Sequence, residues 1–184
     1  MGSESSLTTD VSTLSVAPSS SKTGDQYLKF QLVADITALL PISQLAEVLT
    51  IDVSQITPIP QLPTWVMGAY NWRGEALWMV DLAHLIGFMP WYQQLSLTTT
   101  YTAVILRGSS KSMRENNTDS QIVGLVINRA EAIEWCDPQM LQSPLSDATT
   151  PQLIPFLRGY QVKSDGEQLA VLDDEVILST ISRL

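Results

Sequence analysis

One cysteine, Cys136, and one histidine, His84, are all the thiol and imidazole chemistry that the sequence offers. A single cysteine excludes an internal disulfide and a thiolate metal cluster. With one histidine beside it, a zinc site could be assembled only from carboxylates. Cationic residues are scarce as well: 10 Lys+Arg stand against 19 Asp+Glu, a formal charge of -9. No group of Lys or Arg forms a basic stripe, and a net negative field repels phosphate backbones and anionic membrane surfaces, so nucleic-acid binding is disfavoured. No apolar run approaches the ~18 residues that span a bilayer. The N-terminus has neither the basic nor the apolar region of a secretory signal. Gly2 with Ser6 fits the loose myristoylation pattern, which matches too often by chance to carry weight. P-loop, GxGxxG, HExxH and EF-hand signatures are all missing.

What is present is apolar: 45% of the 184 residues are hydrophobic and 16% charged, ample for a core. Residues 1 to 24 are the exception, a Ser- and Thr-rich stretch without periodicity that reads as a flexible tail. Order is expected from Tyr27, where Leu28, Phe30 and Leu32 alternate with Lys29 and Gln31 as in a half-buried strand. Ala34-Asp35 reads as a tight turn into a second strand, Ile36 to Ile42, followed by a short irregular segment and then by Glu47 to Ile51. Pro58, Pro60 and Pro63 mark a connection that cannot be central strand. Strands are expected at Gly68 to Asn71 and Ala76 to Val80, around Arg73-Gly74. Asp81 then caps a short helix that Gly87 closes.

The second half repeats this plan. GEALWMVD (Gly74 to Asp81) has a counterpart in GEQLAVLD (Gly166 to Asp173), and each precedes apolar residues at helical spacing. Trp65-x-x-Gly68 is echoed by Phe156-x-x-Gly159, and Ile36 to Asp52 by Ile122 to Asp137. Tyr27 and Tyr101 open the two halves. An ordered series of matches points to an internal duplication of roughly 75 to 80 residues, too long a period for a solenoid and suited to two small barrels. Barrel one is expected over about 27 to 90 and barrel two over about 100 to 184, and a Ser- and Asn-rich insertion from Gly108 to Ser120 as a surface loop.

Candidate catalytic groups are few. His84 is expected on the exposed side of its helix, Cys136 as a buried thiol, and neither neighbourhood suggests activation of a Cys–His pair. Asp173-Asp174-Glu175 is dense in carboxylates but sits at a helix start, where the dipole and capping favour acids. More distinctive are the tryptophans: Trp65, Trp72, Trp78 and Trp91 crowd one stretch, with Trp135 apart. They can fill a core, yet Trp and Arg also dominate binding hot spots, which makes Trp72 and Arg73 candidates for an interface. Arg73, in an apolar segment, calls for a carboxylate. Glu47, isolated among Leu45, Val48 and Leu49, could meet it in a bidentate pair, or the two could be solvated charges that never meet.

The run WVMGAYNWRGEALWMVDLAHLIG (Trp65 to Gly87) resembles the most distinctive segment of CheW-like domains. YLKFQL, PISQLAEVL, ITPIP, VGLVIN and the late LAVLD fall in the order of that family, so the resemblance covers Tyr27 to about Leu184. It implies an all-β fold, a duplicated pair of small five-stranded barrels (OB- or SH3-like) with strands swapped and short helices including a C-terminal one. It also implies a non-enzymatic, cytoplasmic adaptor without cofactor or metal, recruited to membrane receptor arrays. Its partners would be the signalling tip of a chemoreceptor and the regulatory domain of a CheA-type histidine kinase, with no nucleic acid and no insertion into the membrane. Carried over by position, receptor coupling would centre on Leu45, Glu47, Gly68, Asn71 and Arg73, with Trp72 beside them, and Glu47 would pair with Arg73. Three positions depart from the pattern: Trp78 stands where Pro is common, Trp72 where a smaller aliphatic is, and Asn128 where Asp is usual. A regulator of such arrays that binds no receptor, and a barrel that binds or transforms a small ligand in the inter-barrel groove, are the alternatives. Convergent titratable side chains in a cavity would favour the last.

Overall fold

The computed structural model describes residues 24–90, 93, 99–108, 121–143 and 150–183. The expected tail up to residue 23, the insertion from 109 to 120 and Trp91 lie outside the described residues. The chain forms β1 (Asp25–Val33), β2 (Ile36–Pro41), β3 (Leu45–Asp52), β4 (Val66–Trp72), β5 (Glu75–Asp81) and a short helix α1 (Leu82–Ile86). It then forms β6 (Thr100–Gly108), β7 (Gln121–Ile127), β8 (Arg129–Cys136), β9 (Leu157–Val162), β10 (Gln168–Leu172) and α2 (Asp174–Ile181).

Local pattern explains most of these elements. Leu28, Phe30 and Leu32 are buried on one face of β1, and Ala34-Asp35 turns the chain into β2. β1 begins at Asp25 rather than Tyr27, because Asp25 and Gln26 pair with Cys136 and Trp135 of β8, a long-range ladder without local signal. Pro58, Pro60 and Pro63 lie in the irregular connection between β3 and β4.

Two five-stranded sheets result, in the orders β8-β1-β2-β10-β9 and β3-β6-β7-β5-β4. Neither half of the sequence makes a sheet by itself: each gives two strands to one and three to the other. The joints where β2 meets β10 and β5 meets β7 are the parallel pairings, and the remaining ladders are antiparallel. The largest core lies between the sheets, where Phe30, Leu40, Val104 and Leu125 meet Leu82 of α1 and Ile177 of α2. The opposite faces have cores of their own: Trp72, Met79, Met67 and Ile105 in the β3–β7 sheet, and Tyr27, Leu39, Leu169 and Val171 in the other. Strands such as β5 and β10 are therefore buried on both faces, which is why they read as apolar runs rather than alternations.

The duplication extends to individual hydrogen bonds. Asp81 N–H donates to Trp65 O at 2.9 Å, and Asp173 N–H to Phe156 O at 2.8 Å. The two aspartates then cap α1 and α2, accepting from His84 N at 3.1 Å and from Val176 N at 3.1 Å. Gly68 and Gly159 stand at positive φ, 143° and 157°, where a Cβ would run into the carbonyl of Thr57 or of Gln142. Those same segments form the bridges Thr57–Ala69 and Gln142–Tyr160.

Candidate interaction site

The hairpin between β4 and β5 closes at Trp72 and Glu75, leaving Arg73-Gly74 as a two-residue loop. Both loop residues have positive φ, 54° and 89°, the sign pattern of the type I′ turn that suits the twist of a tight hairpin. Glycine takes this conformation freely; arginine does so at a cost, so the turn holds Arg73 in a strained backbone state. Asn71 Oδ1 accepts the Gly74 N–H at 2.9 Å and braces the loop. The counterpart hairpin of the second half is longer, with Gly166 N–H donating to Lys163 O at 3.0 Å.

Across the sheet, Glu47 stands on β3, the opposite edge from β4. Its Oε2 accepts from Arg73 Nη2 at 2.9 Å and from Trp72 Nε1 at 3.0 Å. Side chains on the first and last strands of one sheet meet only if that sheet curls about its core, here the one containing Trp72 itself. The other sheet curls likewise: Gln161 Nε2 donates to Trp135 O at 3.1 Å and Lys163 Nζ to Glu134 at 2.7 Å, joining the β9 and β8 edges. The Arg73 guanidinium carbon also lies 5.0 Å from the centroid of the Trp72 ring, within cation–π range. An acidic, aromatic and cationic group thus share one corner, with the cation outermost.

A family model described as CheW-like domain matches residues 26–182. The chain belongs to the CheW-like domain family. Among solved structures it is similar to the scaffolding protein TtCheW from Thermoanaerobacter tengcongensis, at 20% identity and a TM-score of 0.63, over 82% of this chain and 90% of that one. That likeness concerns the fold. No curated protein matches.

In this CheW-like chain the sequence candidates separate into two groups. Glu47, Asn71, Trp72 and Arg73 come together at the β4–β5 turn. Leu45 and Gly68 sit on the strands that carry this corner rather than in it. Leu45 is half-buried against the core between the sheets, with an irregularity in the ladder separating it from Glu47. Gly68 is buried, and its bare Cα lets β4 approach Thr57.

Trp72 is 7% exposed, so the ring is core and cannot be an exposed aromatic anchor; only its N–H end reaches the site chemistry. The Arg73 side chain is 70% exposed, because the turn lifts it off the sheet. Both donors share Glu47 Oε2, so the contact is not the bidentate pair anticipated. Trp65 and Trp78 pack half-buried against the core between the sheets. Asn128 is exposed, with Nδ2 3.4 Å from Gln31 Oε1.

The acidic run at α2 serves two purposes. Asp173 caps the helix, whereas Asp174 is buried at 3% exposure and accepts from Arg158 Nη2 at 2.7 Å. Burial pushes the Asp174 carboxyl above its ordinary range, with Arg158 pulling it part of the way back. Sequence reading missed Arg158, although it too is a lone cation in an apolar segment, between Leu157 and Gly159. Cys136 is buried and its thiol is pushed up by that burial, the reverse of what a nucleophile needs. His84 is half-buried, not exposed, since Leu82, Ala83, Leu85 and Ile86 are all buried around it in a helix of five residues. Among the described residues no three His, Cys, Asp or Glu side chains are grouped to hold a metal. No described helix is long and apolar enough to cross a membrane.

Proposed function

We propose that this CheW-like chain is a non-enzymatic adaptor that couples chemoreceptor-type, methyl-accepting receptors to a CheA-type histidine kinase. Family membership supports the scaffold role in chemotaxis-type signalling. The observation that carries the receptor assignment is the corner at the β4–β5 turn, where Glu47 and a strained turn hold an exposed Arg73. A solvent-facing guanidinium offers several N–H donors in a fixed fork, a recognition group rather than a catalytic one. The receptor signalling tip would meet the surface of Glu47, Asn71 and Arg73, with Trp72 beneath and with Leu45 and Gly68 in the strands that support it. The kinase regulatory domain would meet a different face, so that both partners bind at once. Work in the cytoplasm, with recruitment to receptor arrays at the membrane, follows from those partners, and no cofactor is required.

Bridging is the defining property of such an adaptor. A receptor hairpin and a kinase regulatory domain, each purified, should co-elute as one complex only when this chain is added. Binding of either partner alone, with no ternary complex at any ratio, would count against coupling.

A further inference from the structure

Trp72 does more than fill the core of its sheet. Its ring is buried, yet its Nε1–H donates at 3.0 Å to the very oxygen, Glu47 Oε2, that accepts from Arg73 Nη2 at 2.9 Å. The guanidinium lies 5.0 Å from the same ring. One residue therefore acts on Arg73 twice, through the carboxylate it pins and through its own π face. This matters because an exposed ion pair seldom fixes two long side chains by itself: it is screened and loses side-chain entropy. A carboxylate anchored from beneath by a buried donor is already ordered before the cation arrives. The smaller aliphatic residue that the family resemblance leads one to expect here has neither an N–H nor a π face.

The geometry points to Trp72 as a positioning residue that pre-orients Arg73 for a carboxylate on the receptor tip, an inference that rests on the partner reading above. Among the described residues the Arg73 side chain hydrogen-bonds to Glu47 alone. Its remaining donors suit a planar acceptor, and a carboxylate matches the guanidinium fork. A neutral apolar tip would gain nothing from such pre-orientation.

The test separates the N–H from the bulk of the ring. Trp72→Phe keeps an aromatic face and removes the donor; a sulfur isostere of tryptophan at 72 keeps the bicyclic shape and removes only the N–H. In both, retention of the native amide NMR fingerprint shows that the fold persists. The order parameter of the Arg73 Nε–H, read by 15N relaxation without any partner, should fall. Affinity for a soluble receptor-tip hairpin should fall by roughly three- to tenfold, less than the direct loss of a hydrogen bond to a charged group, because the missing N–H acts through Arg73 and does not touch the partner. Replacing the acidic residues of the hairpin by amides should abolish the difference between wild type and variants. If Arg73→Ala abolishes hairpin binding but the Trp72 variants keep wild-type order and affinity, the positioning role is wrong while the partner reading stands. If Arg73 loses order in the variants but neither they nor Arg73→Ala alter hairpin binding, the partner reading fails and the positioning geometry stands.

Discussion

Gly68 and Arg73 both occupy positive-φ backbone, and replacing each should affect stability to very different extents. At Gly68 the requirement is steric: a side chain would meet the Thr57 backbone, which cannot retreat without breaking its bridge to Ala69. Gly68→Ala should destabilise the protein by about 2–3 kcal/mol, since it adds a strained φ to a backbone clash. Thermal melting checks this, and an unchanged midpoint would show that the 57–69 approach is loose. Arg73→Ala removes a largely exposed ion pair and should change stability by less than about 1 kcal/mol. At this scale the sequence was informative about identity and less so about exposure. Glu47 and Arg73 stood out as lone charges in apolar segments, and the structure places them 2.9 Å apart. That Trp72 faces inward while its neighbour faces water depends on the turn, and no periodicity spans a two-residue loop.

Elements that look alike in the duplicated halves are finished differently. α1 and α2 both start at an aspartate cap, but only α2 follows its cap with a buried acid paired to a cation from β9. Arg158→Ala should strand Asp174 and cost on the order of 2–3 kcal/mol. That is less than the ~3–5 of a fully buried pair, because Arg158 keeps about a third of its side chain in water. Chemical denaturation measures the loss directly. The raised Asp174 carboxyl has a further consequence. Its folded form binds a proton more readily than the ordinary value of 3.8 allows, so this group weakens the fold at neutral pH. That penalty is relieved as pH falls through the raised folded value toward 3.8. Relative to Asp174→Asn, the wild type should therefore gain stability between about pH 7 and about pH 4. Urea midpoints at both pH values test the sign; a difference that stays flat would mean that Asp174 titrates alike in both states. Strands and caps were legible because they rest on local alternation and on Asp and Gly at helix ends. The partner of Asp174 was not, since an ion pair 16 residues apart leaves no local mark.

At the scale of the molecule, the exchange of strands makes the two sheets interdependent. β1 and β2 lie between β8 and β10, and β6 and β7 between β3 and β5, so neither sheet can form before both halves are made. The chain should accordingly unfold in one cooperative step, with Trp fluorescence and far-UV circular dichroism transitions coinciding. Two separated transitions would show that the sheets are independent. The repeats of GEALWMVD and Trp65-x-x-Gly68 revealed the duplication. Which half supplies which strand to which sheet is set by pairings across the chain, and periodicity cannot express it. Function is decided at the same scale, because an adaptor must hold two partners on different faces. The most direct test compares wild type with Arg73→Ala for binding to a receptor-tip hairpin, with the kinase regulatory domain as internal control. The expected result is at least about a tenfold loss of hairpin affinity with kinase binding unchanged. Equal hairpin binding by both proteins, or parallel loss of both partners from a folded variant, would contradict the assignment of receptor coupling to this corner.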